Sequence, residues 1–217
     1  MSIKEVVEPE NNGFRFTLRS KNVVIKFFLL GLLSVVGANV FFNLFPFYVN
    51  SKFGIESDAL GTLFFLSNFV SAGANALAPR ISKRFGTLKT IAVMIGLATP
   101  FYLMIPLAPN FTWVSTLYVG RLGFRTMADP LTSSFFMRLL HDDEKATANS
   151  IRMMAFQGGN IAAPWLGGQL MEKTSMDFPV YLGTVLYVVF AASFYFLLKN
   201  EKEKEIETIE SPLNIES

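Results

Sequence analysis

Cysteine is absent from the 217 residues of the chain, which excludes disulfides and thiolate metal sites and leaves the redox compartment unreadable. Histidine occurs once, at His141 beside Asp142 and Asp143. A metal centre needs more ligands at defined spacing, so no metal is expected and His141 reads as a solvated loop residue. Charge is scarce as well: Asp, Glu, Lys and Arg make up 17% of the chain, against about a quarter in an ordinary soluble domain. No phosphate-cradling loop, nucleophile elbow or catalytic dyad is present, which argues against an enzyme and against a nucleotide-driven pump, and no cofactor is expected. Apolar residues do not alternate at strand period, which argues against a membrane β-barrel. The net charge of +2 comes with no basic face and no interleaved aromatics, so nucleic acid is not an expected partner. Met1–Asn22 carries Glu5, Glu8 and Glu10 ahead of any apolar run, unlike a cleavable leader.

What the chain does have is apolar length. Residues of apolar type make up 51%, with 23 Phe. Six segments approach the roughly 20 residues that a helix needs to cross a bilayer: Val23–Val49, interrupted near its end by Pro46, then Leu60–Ala78, Ile91–Leu107, Phe111–Leu140, Thr147–Leu170 and Phe178–Leu198. Inside hydrocarbon the backbone must satisfy its own hydrogen bonds, so such runs are expected as helices. The expected architecture is therefore an all-α membrane protein. A polar leader (1–22), a membrane domain (23–198) and a polar tail (199–217) make up the chain, with both ends solvated and largely without structure.

Basic residues set the expected orientation. Lys4, Arg15, Arg19, Lys21 and Lys26 precede or open the first span; Arg80, Lys83, Arg84 and Lys89 lie between the second and third; Arg138, Lys145 and Arg152 surround the fourth connection; Lys199, Lys202 and Lys204 follow the sixth. The opposite connections hold Lys52 and Lys173 alone. Positive-inside counting places both termini in the cytoplasm of a multi-pass cell-membrane protein.

Polar residues within the spans are the candidate site. Arg121, Arg125 and Asp129 recur at every fourth position of the fourth span and share a helix face. Counting from Trp113, Arg125 sits roughly 18 Å into a hydrocarbon core of about 30 Å. A charge at that depth costs at least about 2.5–3.5 kcal/mol on insertion scales, so it should meet a partner or a wet cavity. Pro130 removes a backbone bond to the Thr126 carbonyl and should kink the helix. In one reading Arg125 or Arg121 binds an anionic group while Asp129 serves as counter-ion or proton acceptor. In the other, Arg125 and Asp129 form a permanent ion pair that only locks packing, and Arg121 reaches the outer interface. Asn39 and Asn43 in the first span and Gln157 and Asn160 in the fifth either contact substrate or hydrogen-bond between helices; Asn68 carries the same ambiguity. Gly159, Ala163 and Gly167 form a stripe of small residues, as do Ala72 and Ala76, and both read as close helix packing.

The connection Ala78–Ile91, APRISKRFGTLKTI, resembles the basic, glycine-containing inner loop between the second and third helices of each half of a major facilitator superfamily transporter. Its candidate motif residues are Arg80, Lys83, Arg84, Gly86 and Lys89. The Pro-interrupted Arg121–Met137 helix resembles the fourth helix of such a half. The acidic-basic loop and small-residue helix of Asp142–Met171 are similar to the segment after it in that family. Lys83 stands where the strongest form of the loop has Asp, a loss that resembles the C-terminal half, with Met1–Lys26 resembling the central linker.

The resemblance implies a six-helix half bundle built as a three-plus-three inverted repeat. It also implies that the first and fourth helices line a cavity, that the second and fifth meet counterparts in another half, and that the third and sixth face lipid. The expected function is alternating-access transport of a small anionic or amphiphilic molecule, with a coupling proton or ion and a second six-helix half as partner. The alternative is a non-transporting membrane subunit, or an inactive fragment, that only packs against a partner.

Overall fold

The computed structural model describes residues 18–210, the stretch 200–210 as helix path alone; most of the leader and the end of the tail lie outside the described residues. Every element among the described residues is helical: α1 Lys21–Phe42, α2 Phe45–Phe53, α3 Ser57–Phe85, α4 Thr87–Met104 with a 3-10 turn Ile105–Leu107, α5 Phe111–Arg138, α6 Lys145–Lys173 and α7 Phe178–Glu210. Four stretches are long and apolar enough to cross a membrane: Lys21–Phe53, Ser57–Phe85, Thr87–Leu107 and Phe178–Lys199. At 28 and 29 residues, α5 and α6 match them in length, but their charged, small and polar residues leave them less apolar.

The breaks follow from local chemistry. Pro46 has no N–H to donate, so the first span divides into α1 and α2 at Asn43–Leu44, with Leu44 N–H on the Phe41 carbonyl at 2.8 Å. Gly54 ends α2 at φ +65°, a left-handed conformation that glycine adopts without cost. The connection around Arg80–Lys89 is not the loop expected from composition. Arg80, Lys83 and Arg84 extend the end of α3, Lys89 lies in the first turn of α4, and Gly86 at φ +84° is the one non-helical residue between them. Basic side chains in the last turn of a helix suit its negative end, which favours helix over loop there. The tail also departs from expectation, because α7 runs on to Glu210; its Glu and Lys residues are strong helix formers.

At the basic end of the bundle, three connections are stitched together. The Glu144 carboxylate, before the first turn of α6, accepts from Ser20 N–H at 3.1 Å and His141 N–H at 3.3 Å. Arg138 at the end of α5 donates to Thr87 Oγ1 at 3.1 Å, and Ser82 donates to the same oxygen at 3.0 Å. The opposite end has its own clasp. Lys52 of α2 lies 2.9 Å from Asp177 ahead of α7, 2.8 Å from the Tyr48 hydroxyl and 3.0 Å from the Pro106 carbonyl.

Between these ends, α1 packs on α6 and α7, α4 on α5 and α7, and α3 on α5. Aromatic rings fill the centre, among them Phe41, Phe45, Tyr48, Tyr102, Phe135, Phe136, Tyr187 and Phe194, all buried. The lipid-facing expectation for α4 and α7 describes one face of each: Val93, Leu97, Val185 and Val188 are exposed, while Tyr102, Tyr187 and Phe194 belong to the core.

The small-residue stripe of α6 is spent inside this chain. A Cβ on Gly167 would overlap the Val40 carbonyl oxygen, and one on Gly159 would stand 2.8 Å from Val35 Cγ1. Ala163 is fully buried between them. Its partner is therefore α1 and not another half, a correction with a steric cause: α1 presents its own backbone at that height. Ala72 and Ala76 behave differently and lie on the exposed face of α3, opposite the buried Ala74 and Ala78.

Candidate functional site

The three charged residues of α5 do not share one environment. Each step of four residues along a helix turns about 40° past a full circle, so Arg121 and Asp129 differ by about 80° around α5. Arg121 points into the core and is 3% exposed. Its guanidinium lies 3.4 Å from the ring centre of Phe42, 4.9 Å from that of Tyr102 and 5.3 Å from that of Tyr187. Such cation–π contacts are worth about 0.5–2 kcal/mol each, more when desolvated. Nε and Nη2 of Arg121 are buried without a hydrogen-bond partner among the described residues, so the rings are what compensate the charge. Tyr102 is itself fixed by donating to the Gly37 carbonyl at 3.1 Å. Arg121 thus sits in an aromatic cage and does not reach the outer interface.

Arg125 and Asp129 open onto a cavity of about 280 Å³ enclosed by α1, α4, α5, α6 and α7, and Arg121 has no part in its wall. The polar lining is Ser34, Arg125, Asp129, Thr132, Ser133 and Arg152; Phe27, Phe156, Tyr187, Phe190 and Phe194 contribute aromatic rings to the rest. Those from α5 and α6 come from the halves of their helices nearer the basic end, so Arg125, Asp129, Thr132, Ser133 and Arg152 lie toward that end of the bundle. Toward the opposite end lie the Arg121 cage and the Lys52–Asp177 clasp. Arg125 Nη2 and Asp129 Oδ1 are 3.6 Å apart, with side chains 16% and 60% exposed. That separation exceeds a hydrogen bond but lies within ion-pair reach.

Arg152 belongs to the same site and was missed in the sequence, where it counted among the basic residues of a connection. In the structure it lies about two turns inside α6. Its Nη2 donates to Ser133 Oγ at 3.0 Å and to Asn149 Oδ1 at 3.2 Å, and its guanidinium lies 5.6 Å from the Phe136 ring centre. Its place in the apolar run from Thr147 was the available signal.

The amides go elsewhere. Asn39 donates to Asn160 Oδ1, and Asn160 donates to Gln157 Oε1 at 3.2 Å, a chain that ties α1 to α6. Asn43 is exposed beside the break after α1, and Asn68 donates to the Phe64 carbonyl of its own helix at 2.8 Å. None of the five appears in the cavity lining. His141 is exposed at the basic end, and no group of three or more His, Cys, Asp or Glu gathers among the described residues.

The model of the Major Facilitator Superfamily matches residues 11–215. Multidrug resistance protein 1 of Bacillus subtilis is 23% identical over 200 residues, covering 87% of this chain and 51% of that protein. Multidrug resistance protein MdtH of Cronobacter sakazakii is 26% identical over 194 residues, covering 87% of this chain and 46% of that protein. An uncharacterized membrane protein of Saccharomyces cerevisiae is 26% identical over 131 residues, covering 60% of this chain and 29% of that protein. The chain thus spans about half the length, or less, of the curated relatives it matches. No solved structure matches it. With charged residues buried among apolar helices, and a family match across nearly its whole length, the chain is a membrane-embedded member of the major facilitator superfamily, a family of transporters and not of enzymes.

Proposed function

We propose that this chain is one half of a secondary transporter that moves a small molecule by alternating access, with the cavity at Arg125 and Asp129 as its share of the path. The observation that carries this reading is Asp129: a 60% exposed carboxylate in mid-helix, beside a 280 Å³ cavity. Facing acyl chains it would cost several kcal/mol; facing water or substrate it does not. The names of two relatives, both multidrug resistance proteins, favour amphiphilic cargo.

In this reading α5 and α6 cross the bilayer with the four more apolar stretches, giving six crossings in two inverted triplets. The basic end is cytoplasmic, so both termini face inward and the cavity opens inward while the clasp at Lys52 and Asp177 holds the outer side shut. A second half, as another polypeptide or a second copy, covers the exposed face of α3 with Ala72, Ala76, Phe65 and Phe69 and the outer face of α6 with Ile161 and Trp165. Small side chains on α3 permit the close approach that membrane helix pairs use.

The test is uptake into vesicles across a pH range, with and without Asp129→Asn. Loss of the pH dependence in the variant is expected, and an unchanged profile discards the role of Asp129. The competing reading is a membrane subunit that binds a partner and transports nothing. Arg125 and Asp129 would then be neutralised together with no functional loss.

A further inference from the structure

The basic end of the bundle carries a surface that the transport reading leaves unused. Five cations gather where α3 turns into α4: Arg80, Lys83 and Arg84 close α3, Lys89 lies in the first turn of α4, and Arg138 ends α5. All five residues are exposed. Arg138 is drawn to the turn by its 3.1 Å bond to Thr87 Oγ1, which Ser82 also reaches at 3.0 Å. Among the described residues, no carboxylate stands within ion-pair distance of any of the five. The acids of the same end do not offset them. Asp142 holds Lys145 at 2.6 Å, Glu144 accepts from backbone N–H groups, and Asp143 has no ion pair among the described residues. The first turn of α4 carries no acidic residue. Single exposed charges are ordinary at a helix end; a set of one sign with no counter-charge from its own chain calls for an outside anion.

Phe85 decides between a membrane surface and a soluble anion. It is 61% exposed in the midst of these cations, with the Arg84 guanidinium 5.6 Å from its ring centre. The apolar stretch Thr87–Leu107 begins just past it, and its 21 residues rise about 32 Å, close to a hydrocarbon core of about 30 Å. A bilayer crossed by that stretch places the Gly86 turn at the boundary of acyl chains and headgroups. There an exposed phenyl ring meets acyl chains while the cations meet phosphates.

We infer that this turn is a docking surface for an anionic glycerophospholipid whose headgroup carries two phosphates. The inference goes beyond the transport reading and does not depend on it, since it needs a bilayer at this end and no cargo in the cavity. Arg80 and Arg84 lie one helical turn apart, about 6 Å along α3, and Arg138 reaches the turn from a different helix. One phosphate meets only some of a set spread so widely; two phosphates joined by a short bridge meet more of it. Each arginine offers phosphate oxygens a fork of N–H donors, and each lysine a compact point charge. A zwitterionic headgroup would bring its own cation among the five and gain less.

The experiment is native mass spectrometry of the purified full chain in a non-ionic detergent. The chain is titrated with tetraoleoyl cardiolipin, dioleoyl phosphatidylglycerol or dioleoyl phosphatidylcholine. Inorganic pyrophosphate, with two phosphates and no acyl chains, is the soluble competitor. Cardiolipin is expected to fill one site first, ahead of phosphatidylglycerol and well ahead of phosphatidylcholine, and to bind less tightly as salt is raised. A Lys or Arg near an anionic lipid surface is worth about fivefold in affinity. Lys83→Gln and Arg84→Gln should each weaken cardiolipin by about that factor, and the double variant by about twentyfold or more. Arg84→Lys, which keeps the charge, should lose much less. Phe85→Ala should weaken cardiolipin severalfold. Lys145→Gln, at the same end but already paired with Asp142, should leave the affinity unchanged.

Three results each overturn the inference: equal affinity for phosphatidylcholine, a loss in Lys145→Gln as large as in Lys83→Gln, or full affinity in the double variant. The second of these would mean that the whole basic end attracts anions and that the turn is no site. Displacement of cardiolipin by an equal concentration of pyrophosphate, with Phe85→Ala without effect, would make the partner a soluble polyanion and overturn the lipid assignment as well.

Discussion

Gly167 of α6 lies against the carbonyl of Val40 on α1 so closely that no side chain fits between them. This is where the longest interface of the bundle draws together, and it leads to a prediction that separates neighbouring glycines. Gly167→Ala should destabilise the chain by about 1–3 kcal/mol, the usual cost of overpacking a well-filled interior. Gly168→Ala, one residue on and with nothing within 4 Å of its added carbon, should leave stability unchanged or slightly raised, since alanine favours helix. Thermal denaturation of the two variants in the same detergent checks the contrast.

The clasp at the end opposite the basic connections should act as a coupled unit. Lys52, Tyr48 and Asp177 meet within 2.9 Å of one another, and their charged side chains are about one-third exposed. Solvent screens an ion pair of that exposure, so the Lys52–Asp177 coupling is expected at about 0.5–1 kcal/mol. A double-mutant cycle with Lys52→Met and Asp177→Asn measures it directly, and a coupling near zero would show that the two merely sit side by side.

Acid should loosen the basic end through Glu144. Burial by itself raises this carboxyl, but hydrogen bonds from the Ser20 side chain and backbone, and from the backbone N–H groups of His141 and Arg19, outweigh it and hold the group below its ordinary value. A carboxyl depressed in the folded state stabilises the fold in full above its unfolded value, about 4.3. That contribution fades as pH falls through the folded value. Glu144 is 3% exposed, so Glu144→Gln should cost about 1.5–3 kcal/mol at neutral pH, as loss of hydrogen bonds to a charged group does. The two proteins should converge in stability once pH has fallen below the folded value of Glu144. Melting temperatures of both between pH 7 and pH 3 test this; a constant difference across the range would contradict it.

The apolar runs carried the helices, and Pro46 and Gly86 marked real turns, because a missing N–H and a positive φ act through the backbone whatever surrounds them. Arg121 and Arg152 were harder to place. Spacing by fours puts Arg121 on the broad face of Asp129, but the accumulated rotation of about 80° sends it into rings contributed by α1, α4 and α7, and no local pattern announces a cage assembled from three other helices. Arg152 lies near a basic connection in the sequence, so composition assigned it to the interface. Only the start of α6 at Lys145 shows how far inside it falls. The stripe at Gly159, Ala163 and Gly167 called for a close neighbour without saying which, since small residues record the distance of approach and not the identity of the approaching helix.

Because the chain has no native cysteine, single thiols report water access without background. In sealed membranes, Ser34→Cys on the cavity wall and Val188→Cys on the outer face of α7, where the native side chain is 51% exposed, can each be challenged with a charged, membrane-impermeant thiol reagent. A water-filled path beside Arg125 and Asp129 predicts rapid labelling at position 34 from the side of the basic end and none at position 188. Labelling at 188 with 34 silent would mean that the α5 charges do not face water and that the cavity is no part of a path.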